Sequence, residues 1–257
     1  MDNPYNALDR HFHLPHVRHV DASRPLRWLS RGWGDLRENL GASLPYGLAF
    51  AIAGYLLLSY ATDLPYLFTA AISGFFLVGP LAAAGFYEIS RRHQQGESVS
   101  FAQSLRGLRQ HTNHLLYYGV FLAVVLLSWE RLSAILFALF YQGGYPDLGN
   151  FFRDVFLSGD YLQFVVSYIV IGGALAALVF ALSVVSVPML MDRDVDIVTA
   201  MMTSTRAVAT NLSAMAIWAA LIVALIAVGF ATMMVGMVIL LPLLGHATWH
   251  AYKDLIE

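Results

Sequence analysis

The chain contains no cysteine, which excludes disulfides, iron–sulfur clusters and thiolate metal sites. It is also poor in charge. Only 12% of residues are Asp, Glu, Lys or Arg, about half the share of a soluble domain. It has no phosphate loop, no dinucleotide-binding glycine fingerprint and no nucleophile motif, and nothing in it suggests a nucleic-acid partner. The N-terminal stretch "MDNPYNALDRHFHLPHVRHV" lacks the short apolar core and small-residue cleavage site of a secretory signal. We read residues 1–23 as a disordered or extended cytoplasmic tail. His11, His13, His16 and His19 within it have neither the fixed spacing nor the partner carboxylate of a closed metal site.

What is present is apolar length. Hydrophobic residues make up 58% of the chain, and they recur in runs of about 20 residues, enough to cross a bilayer. This pattern predicts an all-α, polytopic membrane bundle, forming one domain over 24–257 with six spans near 41–61, 65–88, 114–133, 162–189, 211–228 and 231–251. The last two lie in one uncharged run from Leu212 to Ala251. Forty residues of helix would reach about 60 Å, twice the hydrocarbon thickness, so the run must fold back, with Gly229 as the expected point. Thirteen of the 15 lysines and arginines fall on one side of these spans, leaving Arg131 and Arg153 on the other. Both termini are therefore expected in the cytoplasm.

Before each odd-numbered span lies a basic, helix-prone stretch ending near an asparagine: Asn39, Asn113 and Asn211. The first places Leu26, Leu29, Trp33 and Leu36 on one face. The second opens with a Ser100-x-x-Gln103 capping box, and the third can start at Asp196. Each returning span carries a proline: Pro80, Pro188 or Pro242. The expected architecture is three hairpin-like units, each an interfacial amphipathic helix followed by a span out and a proline-kinked span back. The apolar faces of the short helices should meet lipid and their arginines anionic headgroups. An additional outer-side insert is expected at about 134–161, with Phe151, Phe152 and Phe156 on an amphipathic face.

Three stretches carry a resemblance: "GPLAAAGFYEISRR" (79–92), "VPMLMDRDVDIVTAMMTSTRAV" (187–208) and "LPLLGHATWHAYKDL" (241–254). The chain resembles a bacterial family of integral membrane proteins, domain of unknown function 2189. The resemblance implies a bacterial inner-membrane location and a helical membrane fold. It brings no activity and no catalytic residue to carry over.

Candidate sites then rest on residue chemistry. His246 and His250 stand at i and i+4, a spacing by which helices present ligands. Pro242 before them and Trp249, Tyr252 and Lys253 around them place them instead at the headgroup level, as interfacial anchors. His93, His111 and His114 are further candidate ligands on the same side. Most methionines follow residue 188, including Met233 and Met237 at i and i+4, and are read as packing. Glu130 and Arg131 are expected near the outer interface. Trp28, Trp33, Trp129, Arg131, Phe151, Phe152, Phe156 and Trp249 are the expected contacts to lipid or a partner. Asp192, Asp194, Asp196 and Glu88 are read as structural.

The sequence thus leads to a non-catalytic accessory, assembly or stabilising subunit in contact with lipid and with other membrane proteins or a second copy. The alternatives are a small-molecule or ion transporter, suited by repeats and kinked spans, and a haem- or copper-binding protein. The leading reading needs no cofactor.

Overall fold

The computed structural model describes residues 14–61, 83–97, 99–110, 112–140 and 161–257. Nine helices are bounded within them: α1 Arg24–Glu38, α2 Leu40–Ala61, α3 Phe101–Gln110, α4 Thr112–Phe140, α5 Leu162–Ser183, α6 Ser186–Asp192, α7 Ile197–Thr210, α8 Leu212–Ala231 and α9 Met237–Leu255. Residues 83–94 are also helical. Four helical runs are long and apolar enough to cross a membrane: Leu40–Leu57, Leu115–Phe140, Leu162–Asp192 and Leu212–Ala231. The stretch expected as a second span, 65–88, lies mostly outside the described residues.

Several boundaries move. The third apolar helix does not end near 133 but continues to Phe140, because "SAILFALF" offers neither a breaker nor a cap. The remainder of the insert expected at about 134–161, residues 141–160, lies outside the described residues. The span expected over 162–189 breaks at Val184 and Val185. Pro188 has no N–H for the carbonyl four residues earlier, and its ring crowds that carbonyl. The Val185 N–H donates instead to Ser204 Oγ of α7 at 3.1 Å. The fold-back after α8 falls at Thr232–Gly236 rather than at Gly229, with Met233 and Met234 at φ 51° and 69°. Met233 sits in that turn and is exposed while Met237 is buried, so they share no helical face.

The three short amphipathic stretches are helices, and each runs into a long apolar helix after a single residue. Local chemistry sets their ends. Asp196 caps α7, accepting from the Val198 and Thr199 amides. Ser100 and Gln103 close the capping box of α3 at 2.9 and 3.3 Å. At the joins, Asn39 and Asn211 share one conformation (φ −125°, ψ 36° and 40°). Their side-chain amides donate to carbonyls four residues back, Asp35 O and Ala207 O. In the middle stretch the join falls between Gln110 and Thr112, two residues before Asn113. Counted from the joins, Asp35, Gly107 and Ala207 are equivalent, and so are Gly32, Ser104 and Ser204 one turn earlier. All six are buried.

Small or short side chains at these positions let each short helix approach a neighbour closely. α3 packs on α2 and sets Gly107 against Glu88 of segment 83–94. α7 packs on α5 and α6. α1, with no helix before it among the described residues, packs on α9 and touches α8, where Trp28 meets Trp218 edge-on at 5.8 Å. The inward face of α1 is thus Pro25, Trp28, Gly32, Asp35 and Leu36. Of the stripe expected to meet lipid, Leu26 and Trp33 remain exposed. Of the stretch expected as a tail, residues 14–23 are described. Arg18 N donates to Leu255 O at 2.8 Å and Glu257 N to His16 O at 3.2 Å, so residues 14–22 lie along the C-terminal residues. Asn211 anchors the same segment, accepting from Val20 N at 2.7 Å and donating to Arg18 O.

Candidate functional site

α1 and α2 run antiparallel to α9. The register is set by Arg24 and Trp28 on Asp254, Gly32 on Ala247, and Gly47 on Val238. The last contact follows from a proline: Pro242 has no N–H to offer the Val238 carbonyl, and a Cβ at Gly47 would collide with that oxygen. Between these two tight points α1, α2, α9 and segment 83–94 enclose a polar cluster.

His246 lies at its centre and is fully buried. Ser43 Oγ is 2.9 Å from its Nε2 and Ser90 Oγ is 2.7 Å from its Nδ1. Ser90 also donates to Asp35 Oδ2 at 2.5 Å. A serine has one hydroxyl hydrogen, and that of Ser90 is spent on the carboxylate. Ser90 must therefore accept from His246, which assigns the hydrogen of the ring to Nδ1. In the neutral ring Nε2 is then the acceptor, and Ser43 donates to it. The result is a chain of one polarity: Ser43 to His246, His246 to Ser90, Ser90 to Asp35. His250 Nε2 donates to the same carboxylate oxygen at 3.0 Å. His93 Nε2 stands 4.0 Å from Asp35 Oδ1 and 3.1 Å from Glu38 Oε2, where the cluster reaches the surface.

Burial pushes the Asp35 carboxyl up. The hydrogen bonds from His250 and Ser90 outweigh it and hold the carboxyl below the usual carboxylate range. A second buried acid, Glu88, is fully enclosed and satisfied by Arg91 through two nitrogens at 2.8 and 2.9 Å and by Arg92 at 2.6 Å. Asp192 accepts from Tyr252 OH at 2.7 Å and Lys253 Nζ at 3.1 Å. These contacts tie segment 83–94, α6 and α9 together, with Tyr87 stacked near Trp249. Of the four acids read as structural, Glu88 and Asp192 make these contacts and Asp196 caps α7, while no hydrogen bond or ion pair is seen at Asp194 among the described residues.

Several placements differ from expectation. His246 and His250 are buried rather than wet. The face of α9 that carries them is covered by α1, so they sit inside the protein. Trp28 and Trp249 are likewise interior, with no surface left for lipid or a partner. Trp28 Nε1 donates to Asp254 at 2.9 Å. Trp33 is exposed, and Trp129 is half-buried against Gly172 and Tyr168 of α5. Arg131 is exposed. Phe151, Phe152, Phe156 and His111 lie outside the described residues, as does the side chain of His114. His93 approaches Asp35 and Glu38 rather than His246. Both ring nitrogens of His246 are engaged by serines, and the described residues hold no cluster of three or more His, Asp or Glu side chains arranged for a metal ion.

Sequence reasoning missed Asp35, Ser43 and Ser90. The signal for Asp35 was available: Trp28, Gly32 and Asp35 share one face of an otherwise basic helix, and a glycine beside an acid is poor lipid-facing chemistry.

The family described as "predicted integral membrane protein", domain of unknown function 2189, matches residues 67–192 of the chain. The match includes "GPLAAAGFYEISRR" and the start of the second resembling stretch. None of the curated proteins and none of the solved structures matches the chain. The protein is an integral membrane protein, and the family it matches brings no established activity.

Proposed function

We propose that the protein is a non-catalytic subunit that helps to assemble or stabilise a larger complex in a bacterial inner membrane. In this reading the chain makes six spans in three hairpin-like units, with both termini in the cytoplasm, and it needs no cofactor. The supporting observation is α4. Among the described residues this helix of 29 residues is covered on one side only. Its open face carries Leu116, Val120, Val124, Leu127 and Ile135, with Arg131 among them. Arg131 stands nine residues, about 14 Å of helix, before the end at Phe140. Among the described residues no carboxylate pairs with it. A charge on an open face within an apolar span is costly and favours a partner that supplies its counter-ion.

A photo-reactive residue at Ile135, with one at buried Leu122 as control, tests this. Cross-linking of Ile135 to a second polypeptide that weakens in Arg131→Gln supports the subunit reading. Lipid adducts alone at Ile135 refute it.

The carrier reading draws on a different observation, the buried chain from Ser43 to Asp35. Proteoliposome flux that is present in the wild type and lost in His246→Gln would favour it over the first.

A further inference from the structure

The basic side chains divide into two groups. Arg18 pairs with Glu257, Arg24 with Asp254, Arg91 and Arg92 with Glu88, and Lys253 with Asp192. Arg193 bonds Tyr252, and Arg206 of α7 is engaged within the chain. By contrast Arg27, Arg31 and Arg37 of α1 and Arg106 and Arg109 of α3 are exposed, and no carboxylate pairs with them among the described residues; Arg106 bonds the Ala102 carbonyl of its own helix.

The exposed side of α1 has two sectors. Leu26, Trp33 and Leu40 recur every seven residues along one apolar stripe that leads into α2. Arg27 and Arg31, at i and i+4, lie on the next sector, and Arg37 lies at the border between them. On α3, Leu105 and Arg109 sit side by side in the same way, four residues apart. Counted from the joins, Arg37 and Arg109 occupy the same position, two residues before the join. The equivalent residue of α7 is Ala209.

We propose that the outward faces of α1 and α3 bind the headgroups of anionic phospholipids at Arg37 and Arg109, and that α7 does not. The apolar stripe enters the acyl boundary, which sets the guanidinium groups at phosphate height. An arginine fork matches two phosphate oxygens. Carboxylates neutralise Arg18, Arg24, Arg91, Arg92 and Lys253, whereas Arg37 and Arg109, beside the apolar stripes, are left for an external anion. This inference is independent of the subunit reading, because it concerns faces away from α4.

The test uses the full-length protein in phosphatidylcholine vesicles that carry a minority of brominated phosphatidylglycerol, against vesicles with the same share of brominated phosphatidylcholine. Tryptophan quenching reports the lipid beside Trp33, and Trp33→Phe should remove most of the signal. The brominated anionic lipid should quench more strongly, and the preference should fall with added salt. The preference should drop about fivefold for each arginine lost in Arg37→Gln and Arg109→Gln. Ala209→Arg should raise it. Near-ultraviolet dichroism from the buried Trp28–Trp218 pair shows that each variant is folded. Equal quenching by the two lipids in the wild type overturns the proposal. So does an unchanged preference in a folded double variant, or no gain from Ala209→Arg.

Discussion

Asp35→Asn removes the charge of the buried cluster and almost nothing of its shape. In the wild type Asp35 Oδ2 accepts from Ser90 at 2.5 Å and from His250 at 3.0 Å. Hydrogen bonds to a charged acceptor contribute about 1.5–3 kcal/mol each, against about 0.5–1.5 for neutral pairs. The asparagine amide oxygen can keep one of the two as a neutral bond. Its NH2 group then faces the other side of a site built from donors. The expected loss is about 2–4 kcal/mol. Unfolding by a denaturing detergent in mixed micelles measures it, followed by the fluorescence of Trp28, which lies two turns earlier on the same buried face. The pH dependence fixes the sign. Asp35 is held below its ordinary value, so its contribution is fully present above about pH 3.9, the unfolded value, and is lost as pH falls through the folded one. The gap between wild type and Asp35→Asn should therefore be constant in mild acid and narrow below about pH 4. A variant within about 0.5 kcal/mol of wild type at neutral pH, or a gap that widens on acidification, would refute a charged Asp35 held by two donors.

The seam between α1 and α9 should be intolerant of bulk: a Cβ at Gly32 would lie 2.6 Å from Ala247 N and 2.9 Å from its Cα, which are backbone atoms that cannot turn aside. Gly32→Val should cost about 1–3 kcal/mol through overpacking, and an unchanged thermal midpoint would count against the register. Asn211→Ala removes the acceptor of Val20 N and the donor to Arg18 O; hydrogen exchange at Val20 should rise more than tenfold with that at Trp28 little changed, and equal acceleration of both would show that the tail is not held there. His246→Gln with His250→Gln should leave the absorption spectrum and metal content of the purified protein unchanged while lowering its stability; a Soret band or stoichiometric copper or zinc that vanishes in the double variant would instead make the histidines ligands.

Local signals were legible in the sequence. The Ser100–Gln103 box and the Asp196 cap each depend on a few neighbouring residues and appear in the structure, as do four of the long apolar runs. The helix starts of α1, α3 and α7 were legible for the same reason. Contacts between distant residues were not. Ser43 and His246 are 203 positions apart, and nothing near either indicates that α1 and α2 cover α9. The belt of Trp249, Tyr252 and Lys253 misled for a physical reason. An amphipathic ring with a polar edge suits the membrane interface, and it suits equally a buried site with a carboxylate at its rim. Trp28, with its indole N–H on Asp254, is such a case. The register of the middle stretch was hidden because Asn113 resembles Asn39 and Asn211 in type but not in place. Small residues, Gly32, Ser104 and Ser204, mark the equivalence more faithfully than the asparagines do.

The packing of α1 on α9 has a consequence for biogenesis. α3 and α7 find much of their packing surface on helices already synthesised. α1 leaves the ribosome more than 200 residues before α9. Until α9 follows, Trp28 has no Asp254, Asp35 has no His250, and Ser43 has no His246. The earliest helix thus waits with an acid and a tryptophan uncovered, and the last helix closes over them. Arrest of translation before α9 would leave a membrane-inserted chain with its inner face open to quality-control proteases, however well its earlier helices had packed.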